Sequence, residues 1–401
     1  MKLLWANSGF LHPTTRGGQI RTLEMLRQLH RRHEIHYAAL WDSEPEGVRR
    51  TSEYSTRAFP VAFRTASKRS PSFALEVAAG AFSSLPLAIG RWRCAEFRNT
   101  LAKLIREENY DAMVCDFLVT AVNFPEIEKA VLFQHNVESV LWERHSETAP
   151  DVLRRKYFRA QARRMRAFEG DVCRRAARVI AVSENDASAI AGRFGVACAS
   201  VPTGVDVDAF SRPPTGVEEQ GEGLVFIGSM DWMPNIDGMV WFVQEVLPLI
   251  RARRPAMPVT IVGRRPPPAI RALTASDPHL HITGTVPDVR PHLWNAAVSI
   301  VPLRIGGGTR IKIYEAMAAG VPVVSTTIGA EGLDVADGLT IALADTPEEF
   351  ARRCLELAAD ATIAAKIGRA AREMVAARYS WEQVSRVFEQ LLMQSPEPAV
   401  Q

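Results

Sequence analysis

A triple glycine set between an apolar strand and a helix constrains this chain more than any other feature. Residues 299–333 read SIVPLRIGGGTRIKIYEAMAAGVPVVSTTIGAEGL: strand, glycine loop, short helix, strand, loop. Three residues without Cβ let Gly306, Gly307, Gly308 and Thr309 expose bare backbone N–H groups. From 311 to 319 the spacing is helical, with Ile311, Tyr314 and Ala318 on one face and Lys312 and Glu315 off it. Gly320 supplies the stop, and 321–325 is a buried β-branched strand. A glycine loop feeding a helix N-terminus favours an anion, because unpaired amides and the helix dipole both attract negative charge. Arg310 and Lys312 add two cations suited to a diphosphate. Glu315, one turn further in, is placed to accept two ribose hydroxyls while the phosphates sit at the loop.

The remaining totals narrow the class. At 401 residues the chain is long enough for two or three domains, and 47% hydrophobic with 23% charged residues is ordinary for a water-soluble globular protein. Cys94, Cys115, Cys173, Cys198 and Cys354 are scattered with no C-x-x-C pair, which argues for a reducing compartment and against a disulfide framework or a zinc site. His279 and His281 make an isolated H-x-H, a spacing met more often at a surface or in packing than in metal binding. Met1 leads directly into an apolar strand, and no apolar run reaches the roughly 18 residues of a spanning helix. A cytoplasmic location without a metal cofactor is therefore expected. Residues 1–200 carry a net charge of +8 and the remainder −5. A basic half fits an anionic partner, membrane phospholipid or nucleic acid, and also fits solvated arginine helices.

Taken in order, the chain alternates strands and helices. A strand at 2–6 runs into a loop ending in Gly17-Gly18, and a helix at 19–30 places Ile20, Leu23, Leu26 and Leu29 along one face. Strands follow at 34–41, 110–116 and 130–135. Residues 73–90 are apolar, poor in charge and end in Arg91-Trp92-Arg93, a pattern that suits a core or an interfacial segment. Residues 151–178 read as one long basic helix with Leu153, Tyr157, Ala160, Arg164 and Phe168 on a stripe. Ser183 is placed to cap the next helix. Segment 212–223, RPPTGVEEQGEG, is the clearest linker. A second α/β series starts at Leu224, and from Phe350 the chain is helical.

The string GGGTR-x-K-x-x-EAMA-x-G-x-PVVST followed by GAEGL resembles the nucleotide-binding segment of the group 1, family 4 glycosyltransferases. The resemblance implies an α/β protein of the GT-B fold: two Rossmann-like doubly wound domains facing across a cleft, with a C-terminal helix returning to the first. The corresponding boundaries are 1–211 for the acceptor side, 212–223 for the linker, 224–379 for nucleotide-sugar binding, and 380–401 for the crossover helix and tail. It further implies that Glu315 binds the ribose, that Gly17 and Gly18 approach the donor diphosphate, and that His135, in FQHNVES, sits by the donor sugar and acceptor. Arg16, Asn136 and Glu138 are acceptor-side candidates.

Two departures from the family pattern stand out. Gly307 replaces the glutamate that most members carry eight positions before the ribose glutamate, so the amides of Gly307, Gly308 and Thr309 are expected to hold sugar or phosphate. In 228–238, Met230 and Asn235 stand roughly where many members have Arg and Lys, which leaves the phosphate charge to Arg310 and Lys312. The implied activity is transfer of a sugar from a nucleotide diphosphate sugar to a hydroxyl acceptor, retaining and metal-independent, in exopolysaccharide or envelope glycan assembly. The expected partners are a nucleotide-sugar donor, a glycan or lipid-linked acceptor and reversibly an anionic inner-membrane surface, with no nucleic acid. An epimerase of the same architecture and a non-catalytic nucleotide-sugar-binding subunit are the alternatives.

Overall fold

The computed structural model describes residues 1–14, 17–66, 70, 73, 76–77, 80, 83–147, 149, 151–211, 221–273, 277–305 and 310–394. The chain divides into two compact units, Met1–Pro202 with Val384–Gln401, and Thr203–Gln383. The changeover thus comes ahead of the proline-rich segment expected to link the halves, most of which lies outside the described residues.

The first unit is built on seven parallel strands: β1 (Lys2–Asn7), β2 (Glu34–Trp41), β3 (Arg57–Ala62), β4 (Ala112–Asp116), β5 (Val131–Gln134), β6 (Arg178–Ala181) and β7 (Cys198–Ser200). Their order is β3-β2-β1-β4-β5-β6-β7, so the winding reverses between β1 and β4. Strands covered on both faces read as apolar runs, and in β1 residues 3–6 are wholly buried. Ligands of open α/β sheets bind beyond the C-terminal strand ends at such a reversal. Helix α1 (Gly17–His30) begins at the glycine pair itself, two residues before its expected start. Its buried face is Arg21, Thr22, Leu23, Leu26 and Leu29, whereas Ile20 is exposed.

Helix α2 (Ala95–Glu107) buries Phe97, Leu101 and Leu104 on the same core. Helices α3 (Glu138–Glu147) and α4 (Val152–Arg175) pack on each other. In α4 the buried face is Gln161, Met165, Glu169, Val172 and Cys173, not the expected stripe, and Leu153 is 81% exposed. Two polar residues on that face interrupt the apolar periodicity, and both are occupied. Gln161 Oε1 accepts from the Leu87 amide at 2.8 Å. Glu169 accepts from the amides of Glu138 and Ser139 at 2.8 and 2.9 Å and so caps α3. Helix α5 (Glu184–Phe194) has Ser183 as its cap, as the sequence indicates.

The second unit carries six parallel strands: β8 (Leu224–Ile227), β9 (Val259–Val262), β10 (Leu280–Gly284), β11 (Val298–Val301), β12 (Val323–Ser325) and β13 (Ala342–Leu343). The order β10-β9-β8-β11-β12-β13 reverses between β8 and β11. Helix α6 (Met233–Trp241) follows β8, and α7 (Ile311–Ala318) lies between β11 and β12. Phe350 meets Trp241 and Phe242 edge-on at 5.7 and 6.1 Å, near the middle of this core. After α8 (Ala361–Tyr379), the last helix, α9 (Trp381–Met393), delivers Phe388 to the first unit, 5.6 Å from Trp5 and 5.0 Å from Phe133. There Glu389 accepts from Arg32 at 2.7 Å and contacts His33 at 2.8 Å.

Candidate functional site

In the second unit the first turn of α7 and the β8–α6 turn converge beyond the sheet reversal. Lys312, on the first turn of α7, sends its Nζ to Asn235 Oδ1 at 2.8 Å and over the Phe226 ring at 4.4 Å from its centre. Asn235 is in turn held by its Nδ2 donating to the Ser229 carbonyl at 2.8 Å. A Cβ at Gly228 would lie 2.7 Å from both Lys312 Nζ and Asn235 Nδ2, so a glycine there is what lets the two meet. Met230 is fully buried and offers no polar group.

Glu315 stands one turn along from Lys312. Burial pushes the Glu315 carboxyl up to about 7, and the Lys312 charge opposes that rise. Burial likewise pulls Lys312 down to about 7, partly offset by Glu315 and reinforced by Arg310. Near neutral pH the pair is poised to change charge, and an arriving diphosphate would favour the protonated lysine.

Arg310 is placed differently from expectation. It is buried, and its guanidinium donates to the carbonyls of Gly329 and Ile328, each at 3.2 Å, with Glu331 at 4.0 Å. In this arrangement it ties α7 to the turn after β12. Gly307, Gly308 and Thr309, the expected sugar or phosphate amides, lie outside the described residues, as does Arg16. Two further cations reach the same strand end. Arg264 follows β9, the neighbour of β8, and its Nε donates to Ser229 Oγ at 2.8 Å, while Arg265 approaches Asp231 at 3.4 Å. Sequence spacing misses them because they come near β8 only through the parallel β8–β9 pairing.

In the first unit, His135 follows β5 and is buried beside the β1–β4 reversal. Its Nε2 meets Asp116 Oδ1 at 2.7 Å, Arg21 Nη1 lies 3.5 Å from its Nδ1, and the ring stacks on Phe117 with centroids 3.8 Å apart. Burial lowers the histidine pKa, and Asp116 opposes this. Both ring nitrogens therefore face protein groups. Phe117 adopts φ 64°, a left-handed value for a bulky residue, and this turns it onto the imidazole. Gly18 makes room for it, because a Cβ there would come 2.6 Å from Phe117 Cζ. Gly17 opens the helix, and a Cβ there would meet nothing within 4 Å.

Asp116, which the sequence reading left unassigned, is the hub of this cluster. Its Oδ2 accepts from Trp5 Nε1 at 3.1 Å, Asn7 Nδ2 at 2.8 Å and Thr22 Oγ1 at 2.8 Å, in addition to the His135 contact. The only signal available beforehand was an acidic residue closing an apolar strand. Arg21 is likewise buried, and desolvation brings its pKa down to about 10.

Glu138, at the start of α3, lines a cavity of about 710 Å³ together with Gly18, Phe117 and a set of apolar side chains. Burial and the neighbouring Glu169 charge raise Glu138 to about 7, and a hydrogen bond from the exposed Asn136 opposes the shift. A carboxyl held near neutrality beside a cavity can exchange a proton with a bound hydroxyl. Among the described residues there is no group of three or more His, Cys, Asp or Glu side chains that could hold a metal ion.

Comparison with known proteins agrees with this architecture. Residues 15–209 match the family model described as Glycosyltransferase Family 4, and residues 221–360 match the one described as Glycosyl transferases group 1. A phosphatidyl-myo-inositol mannosyltransferase of Mycolicibacterium smegmatis is 31% identical over 208 residues, covering 49% of this chain and 53% of that one. The two curated relatives that match are spanned over only 36% and 53% of their length. Among solved structures, sucrose-phosphate synthase from Thermosynechococcus elongatus superposes with a TM-score of 0.66 at 16% identity, over 98% of both chains. Anabaena HepE in complex with UDP and glucose gives 0.65 at 14%, over 98% of this chain and 99% of that one. Two family models that together span most of the chain, joined to two parallel, doubly wound sheets, place this protein among the group 1, family 4 glycosyltransferases of the GT-B fold.

Proposed function

We propose that the protein transfers a sugar from a nucleotide diphosphate sugar to a hydroxyl acceptor, with retention of anomeric configuration and without a metal ion. The observation that carries this reading is the Lys312–Asn235–Glu315 cluster beyond the β8–β11 reversal, where one cation and one carboxyl stand a helical turn apart. Glu315 would accept the ribose hydroxyls and Lys312 would meet the diphosphate, with Arg264 as a second exposed cation within reach of the same strand end. Charge that grows on the leaving diphosphate is then stabilised by fixed cations and helix amides instead of an ion. Glu138 is the group on the acceptor side. Arg310 would act by holding the turn after β12, not by touching phosphate. His135 would act by holding the Gly18–Phe117 region in place.

The HepE complexes with UDP and with UDP-glucose support a nucleotide-sugar donor, and the phosphatidyl-myo-inositol mannosyltransferase relative supports a lipid-borne acceptor. Work at the cytoplasmic face of a membrane, in envelope or exopolysaccharide assembly, follows from such an acceptor. The epimerase alternative finds no support in the family matches. A saturation-transfer NMR screen of UDP-, GDP- and ADP-sugars, followed by product analysis with and without acceptor, tests the proposal. Binding of one nucleotide class and acceptor-dependent sugar release are expected. Turnover that alters the free nucleotide sugar with no acceptor present would overturn it.

A further inference from the structure

Phe117 holds φ 64° and ψ 141°, a combination that crowds any residue with a Cβ and persists only where its surroundings enforce it. Three contacts enforce it here. The Phe117 amide donates to the Phe133 carbonyl at 3.0 Å and its own carbonyl accepts from the Thr120 amide at 3.0 Å, which fixes the turn after β4. One face of the ring lies on the His135 imidazole, with 3.8 Å between centroids and 11° between planes. Its tip fills the gap at Gly18, where a Cβ would come 2.6 Å from Phe117 Cζ. A relaxed backbone at 117 would aim the ring elsewhere, so the strain keeps a flat aromatic surface at this strand end.

That surface belongs to the cavity of about 710 Å³, a volume in the range of small-ligand pockets. His135 is buried with both ring nitrogens facing protein groups, whereas Phe117 is half-buried and lines the cavity. Among the described residues no other ring lies against Phe117, and its second face is left to the cavity. Polar groups share the lining: Ser8, Gln19, Asp42 and Glu44 stand on it together with Glu138. A flat aromatic face ringed by hydroxyl, amide and carboxyl groups matches a pyranose. Its C–H face is apolar, and its rim of hydroxyls needs hydrogen-bond partners once water is lost.

We propose that Phe117 is the platform on which an acceptor pyranose stacks, its C–H face against the ring face turned away from His135. The inference rests on the transferase reading and adds the residue that orients the acceptor ring. Glu138 lines the same cavity, so a pyranose held flat on Phe117 can turn one hydroxyl toward that carboxyl.

The test is NMR titration of the whole protein with methyl β-glucopyranoside, methyl α-mannopyranoside and methyl β-galactopyranoside, alongside calorimetric titrations with UDP, GDP and ADP. At least one glycoside should bind with its ring C–H resonances moved upfield by the aromatic ring current. Phe117→Leu keeps an apolar side chain but no flat face. It should abolish the upfield shift and weaken that glycoside about three- to tenfold, the factor of one aromatic contact, with nucleotide affinity unchanged. Gly18→Ala should also abolish the shift without altering residue 117, because its methyl displaces the ring, and it decides the matter should Phe117→Leu fail to fold. No binding of any of the three glycosides, binding without an upfield shift, or a shift that survives both substitutions overturns the proposal. An upfield shift confined to the sugar of a bound nucleotide sugar overturns it too, by giving the platform to the donor. With nucleotide binding intact, these results sink only the inference about Phe117. Loss of all nucleotide binding in the wild type would instead remove the transferase reading beneath it.

Discussion

Lys312 reaches from α7 to Asn235 on α6, and the 2.8 Å hydrogen bond between them fixes the ammonium above Phe226. The cation is therefore positioned before any ligand arrives. Asn235→Ala removes a hydrogen bond to a charged group, worth roughly 1.5–3 kcal/mol, and should weaken nucleotide diphosphate binding about tenfold or more. Asn235→Asp should weaken it too, by giving the ammonium a fixed competing anion. Calorimetry with the nucleotide selected by the NMR screen checks both, and affinities within twofold of wild type would show that Lys312 does not need its partner.

Glu315→Ala should cost at least tenfold in donor affinity, because two hydroxyl hydrogen bonds to a carboxylate are lost, each about 1.5–3 kcal/mol. The loss should be smaller for nucleotide analogues lacking the ribose hydroxyls. Equal losses for the two ligand types would remove Glu315 from the ribose.

The Lys312–Glu315 pair makes a pH prediction. Glu315 is raised from 4.5 to about 7 on folding, so between those values the folded protein binds more protons and its stability falls as pH rises. Lys312 is lowered from 10.5 to about 7, so above 7 the unfolded chain binds more protons and stability rises with pH. Their joint contribution is therefore least favourable near pH 7. Lys312→Met combined with Glu315→Gln should flatten that minimum. The check is the difference in melting temperature between the two proteins from pH 5 to 9, and a difference independent of pH would contradict it.

Asp116→Ala leaves Trp5, Asn7, Thr22 and His135 facing a vacated, buried position. Breaking a buried charge network of this kind costs about 3–5 kcal/mol. For a unit of this size the melting temperature should drop by roughly 6–20 °C. Asp116→Asn keeps part of the acceptor capacity and should fall between the two. Calorimetric scans decide, and an unchanged midpoint for Asp116→Ala would deny the hub role.

The exposed start of α4 predicts membrane behaviour. Val152 and Leu153 are 63% and 81% exposed, and Arg154, Arg155, Lys156, Arg159 and Arg163 are exposed around them. Each basic residue near an anionic surface adds about 1 kcal/mol. The protein should sediment with phosphatidylglycerol-rich vesicles at low salt and be released at about 0.5 M NaCl, where screening is short-ranged. Replacing Arg154, Arg155, Arg159 and Arg163 by Glu should abolish sedimentation, and Trp92→Ala should not. No sedimentation of the wild type would leave the basic face as a solvated surface.

What the sequence displayed most clearly was local. The strand–helix–strand run from β11 through α7 to β12 needs only apolar periodicity and a glycine stop, and the Ser183 cap needs only its neighbours. Less visible were β3, which contains Pro60, and the three-residue β7, since edge strands carry weak apolar signals. The roles of Asp116 and Arg264 could not be read at all. Asp116 acts on Trp5 and Asn7 more than a hundred positions away, and Arg264 meets Ser229 only because β9 lies beside β8. The buried face of α4 was hidden for a different reason: Gln161 and Glu169 satisfy backbone amides, so polar residues occupy positions that periodicity assigns to apolar ones.

Phe388 sets the timetable of synthesis. The rings it covers, Trp5 and Phe133, emerge from the ribosome hundreds or more of residues before it does, and Glu389, the partner of Arg32 and His33, is equally late. All of Thr203–Gln383, a compact unit in itself, is translated in the interval, while the first unit still lacks its closing helix. The earliest-made half of this protein is thus the last to be sealed, and a nascent chain stalled before α9 would display an aromatic face for chaperones to hold.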